Sequence, residues 1–147
     1  MNKTEIYVFR HGRVKISSPS SEISVAEYSG MVKVDCFSIL RQVAIEKAQN
    51  KQVLVIDTCK VVVIDDLRCL IEPDPDALTY LPGVVICRED QLDLWVLYAQ
   101  KLARFGVVRS VFLDSERDQA MRMARTYSLF FRLPESDLKP PKKQMRA

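Results

Sequence analysis

The chain has 147 residues, of which 48% are hydrophobic and 28% charged, and its formal net charge at pH 7 is +3. This length and composition are ordinary for one globular domain that buries its own core. Because the charge is small, we expect no nucleic-acid partner. The sequence shows neither a signal peptide nor an apolar segment long enough to cross a bilayer, so we expect a cytoplasmic protein without a membrane partner.

The four cysteines give no sign of a metal or redox site. None of them forms a Cys-x-x-Cys pair, and a single histidine cannot complete the usual zinc spacings. We therefore expect reduced, mostly buried thiols, and neither a metal nor a cofactor. These cysteines are Cys36, Cys59, Cys69 and Cys87.

The N-terminal third predicts one strand followed by helices. Residues 6–9 are β-branched or aromatic, which is typical of a short buried strand. The serine-rich segment 14–22 predicts a loop. Ser24 and Glu27 have the spacing of a capping box, so a helix is expected over the residues that follow. A further helix is expected over residues 36–48.

The middle of the chain predicts buried strands. Residues 53–56 and 61–64 are apolar and rich in β-branched side chains, and the four residues between them allow either a hairpin or one bent, continuous strand. We expect an aspartate to begin a short helix over residues 65–71 and prolines to interrupt it soon afterwards. Residues 84–87 predict another strand.

The C-terminal part predicts two helices and a basic tail. Residues 91–105 have helical spacing and stop at Gly106, a natural residue to follow a helix. Residues 108–113 predict a last strand or an extended connector. A capping pattern at residues 115–118 begins the second helix, which Pro134 ends. We expect one α/β domain over residues 1–134 and a disordered basic tail over residues 135–147.

The alternation of strands and helices predicts a three-layer α/β/α fold with a mostly parallel central sheet. Ligands of such sheets bind beyond the carboxyl ends of the strands. Polar residues follow three of the predicted strands, so we expect them to meet at one rim. These are residues 10–12, 65–66 and 88–89.

The first strand leads directly into Arg10, His11 and Gly12. An arginine offers a planar fork of donors that suits phosphate oxygens, and a glycine lets the backbone approach a ligand closely. His11 is the only histidine of the chain, and an imidazole can attack phosphorus. An ordinary strand end and turn explains the same triplet equally well.

In this placement the triplet resembles the first motif of the histidine phosphatase superfamily, the phosphoglycerate-mutase-like phosphatases. Three later blocks also resemble the family: residues 23–28 its insertion helix, residues 61–69 its second motif, and residues 85–89 the site of its general acid. The resemblance implies a phosphomonoester hydrolase that works through a phosphohistidine at His11, with Glu89 as general acid. Arg10, Gly12 and Arg68 would bind the phosphate of a phosphorylated small molecule.

The chain departs from this family's pattern in ways that imply a degenerate member with little turnover. The second arginine of the family falls at Cys69, and Arg68 stands one residue away. Asp65 and Asp66 replace the serines of that turn, and two carboxylates repel a phosphate. A second histidine is absent, and loss of one donor to an oxyanion typically reduces the rate about 100- to 1000-fold.

A second resemblance implies a different function. Residues 53–70 look like the centre of STAS domains, which are small regulatory modules that bind protein partners. Asp57 and Asp65 match two aspartates of that pattern, and Asp66 stands where STAS domains carry a phosphorylatable serine. Under this alternative the adjacent aspartates form the exposed functional loop, and His11 is incidental. The same two carboxylates are also a weak signal for a metal site, which a helix cap and solvated turn explains better.

Overall fold

The computed structural model describes residues 4–32, 43, 46–47, 50–64, 82–104 and 106–129. Several predicted features lie outside this part of the chain. They include the short helix over residues 65–71 with Arg68, most of the helix over residues 36–48, Pro134 and the basic tail.

The described residues form a mixed α/β structure with a six-stranded, mostly parallel sheet. The sheet has the order β1-β2-β3-β4-β5-β6, so every strand lies beside its neighbour in sequence. β2 pairs antiparallel with both β1 and β3, whereas β3 to β6 run parallel to one another. The elements are β1 (Glu5–Val8), β2 (Gly12–Ser20), β3 (Ile23–Val32), β4 (Val53–Ile64), β5 (Gly83–Cys87), α1 (Leu92–Ala103), β6 (Arg109–Leu113) and α2 (Arg117–Ser128).

The expected loop over residues 14–22 and the helix after Ser24 are both wrong, because these residues form β2 and β3. Their side chains alternate between buried and more exposed positions, with Val14, Ile16, Ala26 and Tyr28 in the core. A period of two is the pattern of a strand with one face on a core. The match of residues 23–28 to an insertion helix is therefore wrong as well.

β4 settles the alternative left open for residues 53–64. They form one continuous strand, and its pairing with β3 shifts register between Glu27 and Ser29 and again between Gly30 and Met31. These irregularities bend a long strand without interrupting it.

The core consists of two clusters of buried side chains. Leu54 and Ile56 of β4 belong to a cluster that contains Trp95 of α1. Val53 and Val55, which alternate with them, belong to a cluster that contains Ala120 and Ala124 of α2. Each of these two helices therefore packs against a different cluster.

In the described residues of the C-terminal part, the two predicted helices and the strand between them are confirmed. α1 ends close to Gly106, which has a φ of 79° and whose N–H donates to the carbonyl oxygen of Ala103 at 3.0 Å. Residues 109–113 are a strand. The capping contact differs from the pattern predicted at residues 115–118. The N-cap residue of α2 is Glu116 and makes no side-chain cap bond there; its carboxylate instead accepts a hydrogen bond from the Leu113 N–H at 2.9 Å.

Candidate functional site

The Arg-His-Gly triplet forms the tight turn that joins β1 to β2. Arg10 and His11 lie at its tip with exposed side chains. The Phe9 N–H donates to the carbonyl oxygen of Gly12 at 2.8 Å, and the Met31 N–H donates to the carbonyl oxygen of His11 at 3.0 Å. The backbone of the turn is therefore engaged in pairing within the sheet.

Gly12 has a packing role in this turn. It lies opposite Gly30 of β3, and a Cβ atom at residue 12 would lie 2.6 Å from the carbonyl oxygen of Ser29. A Cβ atom at residue 30 would lie 2.6 Å from the carbonyl oxygen of His11, and Gly30 has a φ of 85°. Close backbone approach and a left-handed conformation are the two conditions that favour glycine. Strand packing thus accounts for Gly12 without a ligand.

The structure does not bring His11 and Glu89 together. Glu89 is exposed and begins a short 3₁₀ turn directly after β5. The carboxyl ends of β1 and β5 point to the same edge of the sheet, as predicted, but β2, β3 and β4 lie between them. Four inter-strand steps of about 4.8 Å put these two ends about 19 Å apart. Arg68 lies outside the described residues.

A cluster of charged and sulfur groups lies where β4 meets the start of α2, and we call it the Arg117 cluster (Asp57, Cys59, Asp114 and Arg117). Arg117 Nη1 donates to Asp57 Oδ2 at 2.7 Å. Its Nη2 donates to Asp114 Oδ1 at 2.6 Å and lies 3.6 Å from Cys59 Sγ. The second oxygen of Asp57, Oδ1, accepts from the Cys59 N–H at 3.0 Å.

No protein-family model matches the chain, and no curated protein is significantly similar to it. Among the residues that the structure describes, no three His, Cys, Asp or Glu side chains gather into a potential metal site. In that same part of the chain, no helix has the length and apolar character needed to cross a bilayer.

The electrostatics of the Arg117 cluster favour a fixed structural contact over reactivity. The hydrogen bond with Asp57 is the main reason why the Arg117 pKa is raised, and the hydrogen bond from Arg117 lowers the pKa of Asp114. Burial, assisted by the Asp57 charge, raises the pKa of the Cys59 thiol to about 12. A thiol with such a pKa is protonated at neutral pH and is a poor nucleophile.

Sequence reasoning missed Arg117 and Asp114 as members of a site. The sequence signal for this contact was Asp57, which lies between the apolar runs 53–56 and 61–64. A carboxylate buried between such runs needs a polar or charged partner. Nothing local identifies that partner, since Arg117 is 60 positions away.

Proposed function

We propose that this chain is a non-enzymatic regulatory module that binds a protein partner, in the manner of STAS domains. The observation that carries the proposal is the environment of Asp57, the first aspartate of that resemblance. Its side chain is only 5% exposed and is held by Arg117, which supports a structural role for it in the strand. β4 then continues to Ile64, directly before Asp65 and Asp66.

The same geometry gives less support to a phosphatase. A phosphohistidine mechanism needs a nucleophile and a general acid at one phosphoryl group, within hydrogen-bond reach of the reacting atoms. His11 and Glu89 follow strands that have three others between them. Gly12 is explained by its contact with β3. Arg10 and His11 are then the exposed tip of a turn.

The proposal includes a three-layer α/β/α arrangement and action in the cytoplasm. In support of the layers, α1 and α2 belong to two core clusters that draw on alternate residues of β4. A sheet covered on both faces is a rigid base from which a loop can bind a partner.

The first test measures orthovanadate binding by calorimetry and hydrolysis of p-nitrophenyl phosphate, on the wild type and on His11→Ala. We expect no hydrolysis and no vanadate binding that depends on His11, because the turn brings no second catalytic group to the imidazole. Hydrolysis that disappears in His11→Ala would overturn the proposal and restore the phosphatase.

The second test locates the partner surface by chemical cross-linking in lysate of the source cells, followed by mass spectrometry. Wild type is compared with Asp66→Lys and with Glu46→Lys, a matched charge reversal at an exposed helical residue. We expect one protein to be cross-linked by wild type and Glu46→Lys and lost with Asp66→Lys. A partner that Asp66→Lys retains equally would refute the assignment of the loop.

A further inference from the structure

β1 forms one edge of the sheet, and in the described part of the chain β2 is the strand that pairs with it. Residues of an antiparallel strand alternate between those that bond to the neighbour and those whose peptide groups point away. The Phe9 N–H donates to the carbonyl oxygen of Gly12, so the backbone N–H and C=O groups of Tyr7, two positions earlier, also point toward β2. Ile6 and Val8 therefore direct their N–H and C=O groups outward, along the free edge.

The side chains of these two residues are also uncovered. Ile6 is 58% exposed and Val8 is 78% exposed. Tyr7 and Phe9 point to the opposite face, where they pack against the cluster that contains Trp95. The cluster around α2, on the face of Ile6 and Val8, includes no residue of β1 or β2. An apolar edge with open peptide groups is a template for another strand.

Two cations lie beside this apolar edge. In the register of the hairpin, Lys15 stands directly opposite Ile6 and Arg13 directly opposite Val8. Residues directly opposite in neighbouring strands share a face of the sheet. Both cations are exposed, and neither pairs with a carboxylate in the described residues; Arg13 Nε donates only to Ser29 Oγ at 3.3 Å.

Among the described residues, the acidic side chain beside these cations on this face is already engaged. Glu27 lies opposite Lys15 on β3, but its carboxylate pairs with Lys60 at 3.2 Å. Arg10, exposed in the turn, adds another cation at the end of β1. The edge therefore combines an apolar stripe with an excess of positive charge.

We propose that β1 accepts an extended, acidic segment of a partner protein as an additional strand. Its backbone would pair with the outward groups of Ile6 and Val8, apolar side chains would cover these two, and flanking carboxylates would reach Arg10, Arg13 or Lys15. A second copy of the chain is disfavoured, because it would add its own cations to the same face. This edge strand is distinct from the segment after β4, so the inference goes beyond the function proposed above.

The test measures binding of a fluorescein-labelled peptide, Glu-Glu-Val-Thr-Val-Thr-Glu-Glu, to the full chain by fluorescence anisotropy at low salt. The control peptide carries lysine in place of each glutamate and should not bind. The double variant Arg13→Glu, Lys15→Glu should bind the acidic peptide about tenfold more weakly. The matched variant Arg122→Glu, Arg125→Glu, on the exposed side of α2, should bind like wild type.

Val8→Pro tests the backbone part of the proposal. Proline removes an N–H that points away from β2, so the fold should persist, as circular dichroism will check, while peptide binding is lost. Equal affinity for the two peptides, or unchanged binding by Val8→Pro, would overturn the proposal. Sedimentation equilibrium tests the alternative occupant. If the wild type is a dimer and Val8→Pro is a monomer, a second copy of the chain pairs with β1, and the proposal of a partner protein is overturned. Asp66→Lys should leave peptide binding unchanged, so this test stands or fails separately from the loop.

Discussion

Arg117 and Asp57 are 60 positions apart in the chain, yet Arg117 Nη1 donates to Asp57 Oδ2 at 2.7 Å. Asp57 belongs to β4 and Arg117 is the first residue of α2, so the pair joins the middle of the sheet to a helix that packs against it. An ionised carboxylate buried without a partner is strongly destabilising. The pair therefore holds the first residue of α2 in place against β4.

Removal of the Arg117 guanidinium should destabilise the fold. In Arg117→Ala, Asp57 keeps its bond from the Cys59 N–H but loses its charged partner. We expect the free energy of unfolding to fall by about 2 kcal/mol, because a buried charged group is left partly unsatisfied. Urea denaturation followed by circular dichroism measures the change.

Asp114→Ala is the control for that measurement. Asp114 also bonds to Arg117, but its side chain is 59% exposed, and exposed ion pairs contribute up to about 1 kcal/mol. We expect a clearly smaller loss than in Arg117→Ala. Equal losses in the two variants would mean that burial of Asp57 is not what makes the contact important.

The turn between β1 and β2 should depend on Gly30 and tolerate loss of the His11 imidazole. Gly30→Ala puts a methyl group 2.6 Å from the carbonyl oxygen of His11 at a positive φ, which should lower the free energy of unfolding by about 2 kcal/mol. His11→Ala removes an exposed side chain and should change it by less than about 0.5 kcal/mol. Thermal and urea unfolding of both variants check this order, and the reverse order would contradict the packing explanation.

The elements predicted well are those whose signals are local and strong. α1 carries Leu94, Trp95, Tyr98 and Leu102 at helical spacing and stops just before Gly106. Side chains three and four apart share one helix face whatever the rest of the chain does. The uninterrupted apolar run of residues 84–87 predicts the strand β5 equally clearly.

The errors lie where local signals compete with pairing in the sheet. Ser24 and Glu27 have the spacing of a helix cap, yet Ser24 is buried and its hydroxyl donates to Gln52 Oε1 at 3.0 Å. The pairing of β3 with both β2 and β4 outweighs the cap, since capping contributes only about 1 kcal/mol.

The candidate site was predictable only in its local part. The sequence identifies Arg10, His11 and Gly12 as a turn after a strand, which the structure has. Their distance from Glu89 depends on the order of strands in the sheet, and residue patterns do not encode that order. The contact between Asp57 and Arg117 likewise depends on how the elements are arranged in the fold, which residue patterns do not encode.

Thr58 makes a buried hydrogen bond that should contribute measurably to stability. Its Oγ1 donates to the carbonyl oxygen of Ile86 on β5 at 3.0 Å. Thr58→Val keeps the shape of the side chain and removes the donor, so the free energy of unfolding should fall by about 1 kcal/mol. Thr126→Val is the matched control, because Thr126 Oγ1 makes a similar bond to the Arg122 carbonyl at an exposed position. A loss in the control as large as in Thr58→Val would refute the role of burial.

The thiols of Cys59, which is partly buried, and Cys87, which is buried, should make the fold less stable in alkali. Burial is the main reason why the pKa of Cys59 is raised to about 12 and that of Cys87 to about 11. In the unfolded chain a thiol ionises near pH 8.5. Below that pH both states hold their protons, and above it the unfolded state loses them first. Because the native state then binds more protons, the free energy of unfolding falls as pH rises, until the native thiols also ionise.

The measurement is urea unfolding at several pH values between 7 and 10, for wild type and for the double variant Cys59→Ala, Cys87→Ala. The other titratable groups are present in both proteins and cancel in the comparison. We expect the two curves to converge as pH rises, because only wild type loses the contribution of these thiols. Parallel curves would show that the thiols ionise as readily in the native state as in the unfolded chain, and would contradict their burial.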